Sequence, residues 1–175
     1  MVNAQPSISI RPYRPSDVSA IHHAAIESVH EVQPFMPWCR FDLTEQDQRS
    51  WVEAQIAAFE AKSSFEFAIV SSDGLYLGGC GLNQIDVVNR RANVGYWVRS
   101  SVTRQGIATA AIRELVAWGF ANTDLARLEI VVSTGNIASL RTAERAGAHR
   151  EGVQRKRLFL HDQWHDAVMF SFVRP

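Results

Sequence analysis

Two hydrophobic periods succeed one another along the chain, and their changes mark its elements. Ile8 and Ile10 alternate with Ser9 and Arg11 ahead of Pro12 and Pro15, so Ser7 to Arg11 reads as a first strand. Val18, Ile21, Ala25 and Val29 then recur at helical spacing. They predict a helix from about Asp17 to Glu31, capped by Ser16, with His22, His23, Glu27 and His30 on its solvated face. Thr44 with Asp47 resembles a capping box, and Trp51, Val52, Ile56 and Phe59 carry a second helix to about Lys62. Between these helices, Val32 to Leu43 is apolar but contains Pro34 and Pro37, which stop a helix. That segment either plugs one end of the core or lines a ligand pocket, and its position favours the plug.

From Ser64 the period becomes two. Phe65, Phe67 and Ile69 fall on one face of a strand and Glu66, Ala68 and Val70 on the other; Asp73-Gly74 supplies a turn, and Leu75 to Ile85 returns antiparallel. Ala92, Val94, Tyr96 and Val98 make the next strand, opposite Asn93, Gly95 and Trp97. A short polar loop leads into a helix with Ile112, Leu115, Val116 and Phe120 on one face. Leu128 to Val132 should return parallel to the preceding strand through a right-handed crossover. Gly135 and Asn136 open a short helix, Ile137 to Ala146, which Gly147 ends in a left-handed cap. Arg150 to Leu160 and Trp164 to Val173 form a hairpin around His161-Asp162, with Arg155, Lys156 and Arg157 on a solvated strand face.

A length of 175 residues suits one domain over 1–175, and 46% hydrophobic with 21% charged residues is ordinary for a globular protein. No apolar run approaches the ~20 residues that cross a bilayer, and Met1 to Pro6 lacks the form of a secretory signal, so a cytoplasmic location is expected. The 18 basic and 18 acidic residues balance, which removes any overall field toward nucleic acid. Cys39 and Cys80 are too far apart in sequence for a local metal pair and too few for a disulfide framework. Both are expected to be reduced, with Cys80 buried, and no metal site is expected.

Candidate chemistry concentrates between Val94 and Glu114. Arg104, Gln105 and Gly106 sit where the strand has ended and the helix has not closed its first turn, so several backbone N–H groups lack intrahelical partners. Those groups and the positive end of the helix dipole suit an anion, and Gly106 lets the backbone approach a phosphate closely. Ile107 and Ala108 follow Gly106, so the lysine and hydroxyl of a Walker loop are missing, as are the spaced glycines of a dinucleotide site. What remains is a phosphate cradle that uses no metal.

Four motifs stand in order: Gly95-Tyr96-Trp97-Val98; Arg104-Gln105-Gly106-Ile107-Ala108-Thr109; Asn136-Ile137-Ala138-Ser139; and Ala146-Gly147-Ala148 followed by Glu151-Gly152. With the element order, they make nearly the whole chain resemble the GNAT N-acetyltransferase family, in its RimJ/RimL-like branch. Arg155 and Asp166 also stand where that branch commonly has an arginine and an aspartate. The resemblance implies a mixed α/β fold: a central, mostly antiparallel sheet with one parallel pair splayed at an acetyl-CoA site, flanked by about four helices. It implies acetyl-CoA as co-substrate, its pyrophosphate on the amides of Arg104, Gln105, Gly106, Ile107, Ala108 and Thr109. Trp97 and Val98 are implied to hold the pantetheine arm by strand-like hydrogen bonds, with the Val98 amide polarising the thioester carbonyl.

Ser139 is implied to protonate the departing thiolate, and Asn136 to bond the pantetheine arm or orient Ser139. Both residues also suit plain helix capping, Asn136 as N-cap and Ser139 in the first turn. The sequence departs from the family where relatives often have a glutamate two positions before Gly-Tyr: here Asn93 stands, which cannot accept a proton as a carboxylate does. Glu66, Glu129, His30 or a chain of waters are the alternatives. Thr103 also replaces the usual Gln or Arg, with Arg104 beside it. The implied acceptor is a primary amine, either a protein N-terminus of ribosomal-protein type or a small molecule, and the implied assembly a monomer or homodimer. A non-catalytic acyl-CoA sensor is the alternative that Asn93 keeps open.

Overall fold

The computed structural model describes residues 7–174; Met1 to Pro6, read above as carrying no signal, lie outside them. In order the chain forms β1 (Ile8–Pro12), α1 (Val18–Val32), α2 (Glu45–Glu60), β2 (Phe65–Ser71), β3 (Tyr76–Asp86), β4 (Arg91–Val98), α3 (Ile107–Asn122), β5 (Arg127–Ser133), α4 (Ile137–Ala146), β6 (His149–Leu160) and β7 (Gln163–Val173). All seven strands join one sheet in the order β1-β2-β3-β4-β5-β7-β6. The β4–β5 contact is parallel and its neighbours are antiparallel, as expected.

Period-two patterning placed the faces correctly. Phe65, Phe67 and Ile69 pack with Leu82, Ile112, Leu115, Leu128 and Phe170 under α3 and α4. Ala68 and Val70 pack on the opposite face with Val18, Ile21, Ala24 and Val52 of α1 and α2. Burial of each large side chain in these layers contributes ~1.5–3 kcal/mol, and the two layers hold the sheet between two helix pairs. Gly119 lets α3 lie close to the sheet, since a Cβ there would stand 2.8 Å from Leu82 Cδ1.

Local signals succeeded or failed for identifiable reasons. Thr44 Oγ1 accepts from Asp47 N and Asp47 Oδ2 from Thr44 N, completing the expected capping box. Gly147 (φ 96°) ends α4, and His161 and Asp162 (φ 48° and 60°) make the β6–β7 turn. Ser16 does not cap α1. It lies inside a 3-10 turn, Pro15–Asp17, and the N-cap of α1 is Asp17, whose carboxylate turns back to accept from Arg14 N and from both ends of the Arg11 guanidinium at 2.7–2.8 Å. A carboxylate facing a cation makes charge-assisted bonds that a serine hydroxyl does not match. Asp166 receives a structural role too: its Oδ1 accepts from Lys156 N at 2.8 Å, where β6 bulges out of register with β7.

Gly78 fixes how tightly β3 holds the end of β4. A Cβ there would fall 2.2 Å from Trp97 O and 2.8 Å from Val98 Cα, so only hydrogen fits. Gly78→Ala is expected to cost ~1–3 kcal/mol of stability by overpacking, read as a lower denaturation midpoint with an unchanged m-value.

Candidate active site

The sheet opens where β4 meets β5. Arg91, Ala92 and Asn93 pair with Arg127, Leu128 and Glu129; beyond them the strands separate, although β4 runs on to Val98 and β5 to Ser133. Each keeps its other partner along the whole length, β4 on β3 and β5 on β7. Arg99 N donates to Leu77 O at 2.9 Å. Because antiparallel neighbours alternate between bonded and non-bonded pairs, Trp97 then faces β3, while the amides of Tyr96 and Val98 face the opening. The register therefore corrects one expectation. Trp97 cannot lend its amide to an arm in the opening, and it borders the site through its indole, 5.4 Å edge-on from Trp38. Val98 has the orientation expected of it.

At the mouth of the opening, Arg104 (φ 63°) and Gly106 (φ 80°) turn the chain into α3. The first helical bond is Ala110 N to Gly106 O at 3.0 Å, so the amides of Ile107, Ala108 and Thr109 have no acceptor within the helix. Arg104, Gln105 and Gly106 are exposed. Among the described residues Arg104 joins no salt bridge, which leaves its charge at the cradle. Thr103 Oγ1 folds back onto Ser100 O at 3.0 Å.

The loop before the cradle is held by α1. Glu27 binds the Arg99 guanidinium and accepts from Ser101 N at 2.9 Å; Ser28 Oγ accepts from Ser100 N at 2.9 Å; Glu31 accepts from Ser100 Oγ at 2.8 Å. The Arg99 hydrogen bond, helped by Ser101, draws the Glu27 carboxyl down to about 2. Sequence reading had left Glu27 on a solvated helix face, because a long-range partner has no local signature.

On the far side, Asn136 caps α4, its Oδ1 accepting from Ser139 N at 3.1 Å. This is the capping reading of the Asn136–Ser139 pair, and it also fixes Ser139 in place. Ser139 Oγ lies 2.7 Å from the Tyr96 hydroxyl, which also reaches Ser139 O at 3.3 Å. Burial pushes the Tyr96 phenol up to about 12, so it stays protonated near neutral pH. Two hydroxyl protons then serve one mutual hydrogen bond. When Tyr96 donates, the Ser139 proton is free for a third group, and the pair can deliver a proton into the opening. Sequence reading included Tyr96 only as part of a motif; its position one residue from Trp97 puts it on the opposite face, which is what brings it to Ser139.

A cavity of ≈ 580 Å³ lies on the α1/α2 side of the opening. Phe35, Met36, Trp38, Arg40 and Leu43 form one wall, so the proline-bearing segment lines a pocket, contrary to the preference for a plug. It does both in part, since Cys39 and Leu43 are buried against Ala25 and Val29. A wall is possible because the two prolines leave the backbone in turns between α1 and α2. Cys80 and Cys39 are both buried free thiols.

The cavity floor is polar. Asn93 Nδ2 donates to Asn83 Oδ1 at 2.9 Å, and Asn83 Nδ2 donates to Glu66 Oε1 at 3.0 Å. Burial raises the Glu66 carboxyl above its ordinary range, against the lowering effect of Asn83 and Ser64. Gly81 makes room for it: a Cβ there would stand 2.0 Å from Glu66 Oε2. The other candidate bases lie elsewhere. Glu129 is held by Arg91 at 3.0 Å and Arg127 at 2.7 Å, and His30 packs edge-on against Phe41. No group of three or more metal-ligating side chains occurs among the described residues.

A sheet opened at its parallel pair, with strand amides facing the gap and a helix N-terminus at the mouth, is suited to an extended ligand that ends in an anionic group. Residues 7–149 match the acetyltransferase (GNAT) domain, and the chain belongs to that family of acyltransferases. It is 36% identical to YdaF of Bacillus subtilis (strain 168) over 102 residues, which span 58% of this chain and only 56% of that protein. It is 24% identical over 170 residues to the ribosomal-protein-serine acetyltransferase of Escherichia coli (strain K12), covering 97% of this chain and 94% of the relative. Among solved structures, RimL, a ribosomal L7/L12 alpha-N-protein acetyltransferase in complex with coenzyme A, superposes with a TM-score of 0.88 at 23% identity, over 95% of this chain and 94% of that one.

The Glu27 clamp predicts acid sensitivity. A carboxyl whose folded pKa is depressed contributes stability that is present above its unfolded pKa of ~4.3 and is lost as pH falls toward about 2. Melting temperature measured from pH 5 to pH 2 should fall less steeply for Glu27→Gln than for the native chain.

Proposed function

We propose that the protein is an acetyl-CoA-dependent N-acetyltransferase acting within a single domain on a primary amine by direct attack. The observation that carries this is the opening between β4 and β5, which has the Val98 amide facing it, the Ser139–Tyr96 pair on one side and an unpartnered helix N-terminus at its mouth. The amides of Arg104 to Thr109 suit the pyrophosphate of the co-substrate. The Val98 amide suits the thioester oxygen, which gains negative charge as the amine attacks. Ser139, fixed by Asn136 and bonded to Tyr96, suits protonation of the thiolate.

For the acceptor we favour a protein N-terminal α-amine, which the description of RimL as an alpha-N-protein acetyltransferase supports, with the E. coli relative named for a ribosomal-protein serine. A cavity of ≈ 580 Å³ is within the ~300–1,000 Å³ range of ligand sites and takes the first residue or two of a peptide, or a small amine. No helix among the described residues is long and apolar enough to cross a membrane, which agrees with a cytoplasmic enzyme. Zero formal charge supports a protein or small-molecule acceptor over a nucleic acid, for a monomer or homodimer.

Labelled acetyl-CoA offered with a panel of peptides and small amines, followed by mass spectrometry, should show label on an α-amine together with release of CoA. Binding of acetyl-CoA by calorimetry with no transfer to any amine would leave the sensor reading in its place. Ser139→Ala is expected to lower kcat by about tenfold or more while leaving acetyl-CoA affinity nearly unchanged. Equal losses in both would reduce Ser139 to a capping residue.

A further inference from the structure

The acceptor cavity contains two carboxylates, and their situations differ. Asp47 is engaged at the rim, bonded to Arg40 at 3.0 Å and to the Thr44 amide and hydroxyl at 2.9 and 2.8 Å. Glu66 has no cationic partner among the described residues. Its neighbours are neutral: Asn83 donates to Oε1 at 3.0 Å and the Ser64 hydroxyl lies close by, while Oε2 stands over Gly81. Two glycines make room for this arrangement: the Glu66 carboxylate takes the place a Cβ would have at Gly81, 2.0 Å from Oε2, and a Cβ at Gly95 would press on Asn83 Nδ2 at 3.3 Å.

We propose that Glu66 is the catalytic base of this protein, receiving the acceptor as a compact primary ammonium and taking its proton, with Asn83 and Asn93 as the residues that position it. This rests on the acetyltransferase reading and supplies the group that Asn93 lacks. Asn93 sits where the glutamate of relatives is expected, and its amide leads through Asn83 to a carboxylate one strand further on. Glu66 on β2 and Asn93 on β4 lie on the same cavity floor.

The chemistry balances. The ammonium gives one proton to Glu66, the neutral amine attacks the thioester carbonyl, and the C–N bond forms as the C–S bond breaks. A second N–H proton leaves as the adduct collapses and replaces the one given to the thiolate. Glu66 returns its proton to solvent, so each turnover releases one proton. Burial raises Glu66 toward the amine it must deprotonate, which lowers the cost of transfer. The remaining ionisable groups facing it are Tyr13, Tyr76 and Cys80, all pushed up by burial and neutral at pH 7, and the Arg40–Asp47 pair at the rim.

The test is a pH series of kcat and KM for the full chain with its best amine acceptor. Glu66→Gln should lower kcat/KM by ~10²-fold or more at pH 7. The loss should shrink as pH rises past the ~8 of an α-amine, because the substrate then arrives neutral. Acetyl-CoA affinity should stay within about twofold, and Glu66→Asp should recover part of the rate. Asn83→Ala, which keeps the carboxylate and removes its donor, should cause a smaller loss and shows the effect even where Glu66→Gln folds poorly. A Glu66→Gln rate within about threefold of native at every pH overturns the assignment, as does a loss that is constant with pH and matched by lost cofactor affinity. If the native chain binds acetyl-CoA but transfers to no amine, the acetyltransferase reading falls with it; an active native chain with an unaffected Glu66→Gln variant overturns this assignment alone.

Discussion

The structure depends on a pairing that stops. β4 and β5 share three parallel positions and then diverge, while each stays paired with its antiparallel partner on the other edge. Sheet twist rotates the two halves apart, and no strand enters between them. The result is a row of backbone groups facing the gap with no strand partner among the described residues. Unpaired backbone at such a place costs free energy unless a ligand or water satisfies it, so the opening favours an extended polar chain. The glycines of β3 serve the same end, since Gly78 allows β4 to be gripped tightly by β3 up to the residue where the opening matters.

Around that opening the chemistry is divided between the two faces of one strand. Tyr96 points to α4 and meets Ser139, while Asn93, Gly95 and Trp97 look into the cavity on the α1/α2 side. A strand that alternates its side chains places the Tyr96–Ser139 hydroxyl pair on one face and the cavity on the other, within a few residues. The α1 helix joins these parts mechanically. Through Glu27, Ser28 and Glu31 it holds the loop that leads to the cradle, and through Ala25 and Val29 it packs the segment that walls the cavity.

The polar floor is a second constraint. Glu66, Asn83 and Asn93 come from three successive strands and share one face, so their side chains form a short hydrogen-bonded row across the sheet. A buried carboxylate with no cationic neighbour keeps a raised affinity for protons, because burial outweighs the neutral hydrogen bonds of Asn83 and Ser64. That property follows from the strand order, which no single segment contains.

Local rules were sufficient for the elements and for part of the site. Hydrophobic period gave the strands, their faces and the helices; Thr44, Gly147 and the Gly106 turn could be read from residue type, because caps and left-handed positions depend on a few neighbouring residues. The unpartnered N-terminus of α3 and the Asn136 cap are legible for the same reason. Tertiary structure alone decided three things: that Trp97 turns its amide away while Val98 faces the opening, that the Val32–Leu43 segment is a cavity wall, and that Glu66 rather than Glu129 or His30 reaches the cavity. Each depends on register or on contacts between distant strands. A one-residue shift in pairing would reverse every one of those faces without changing any local pattern.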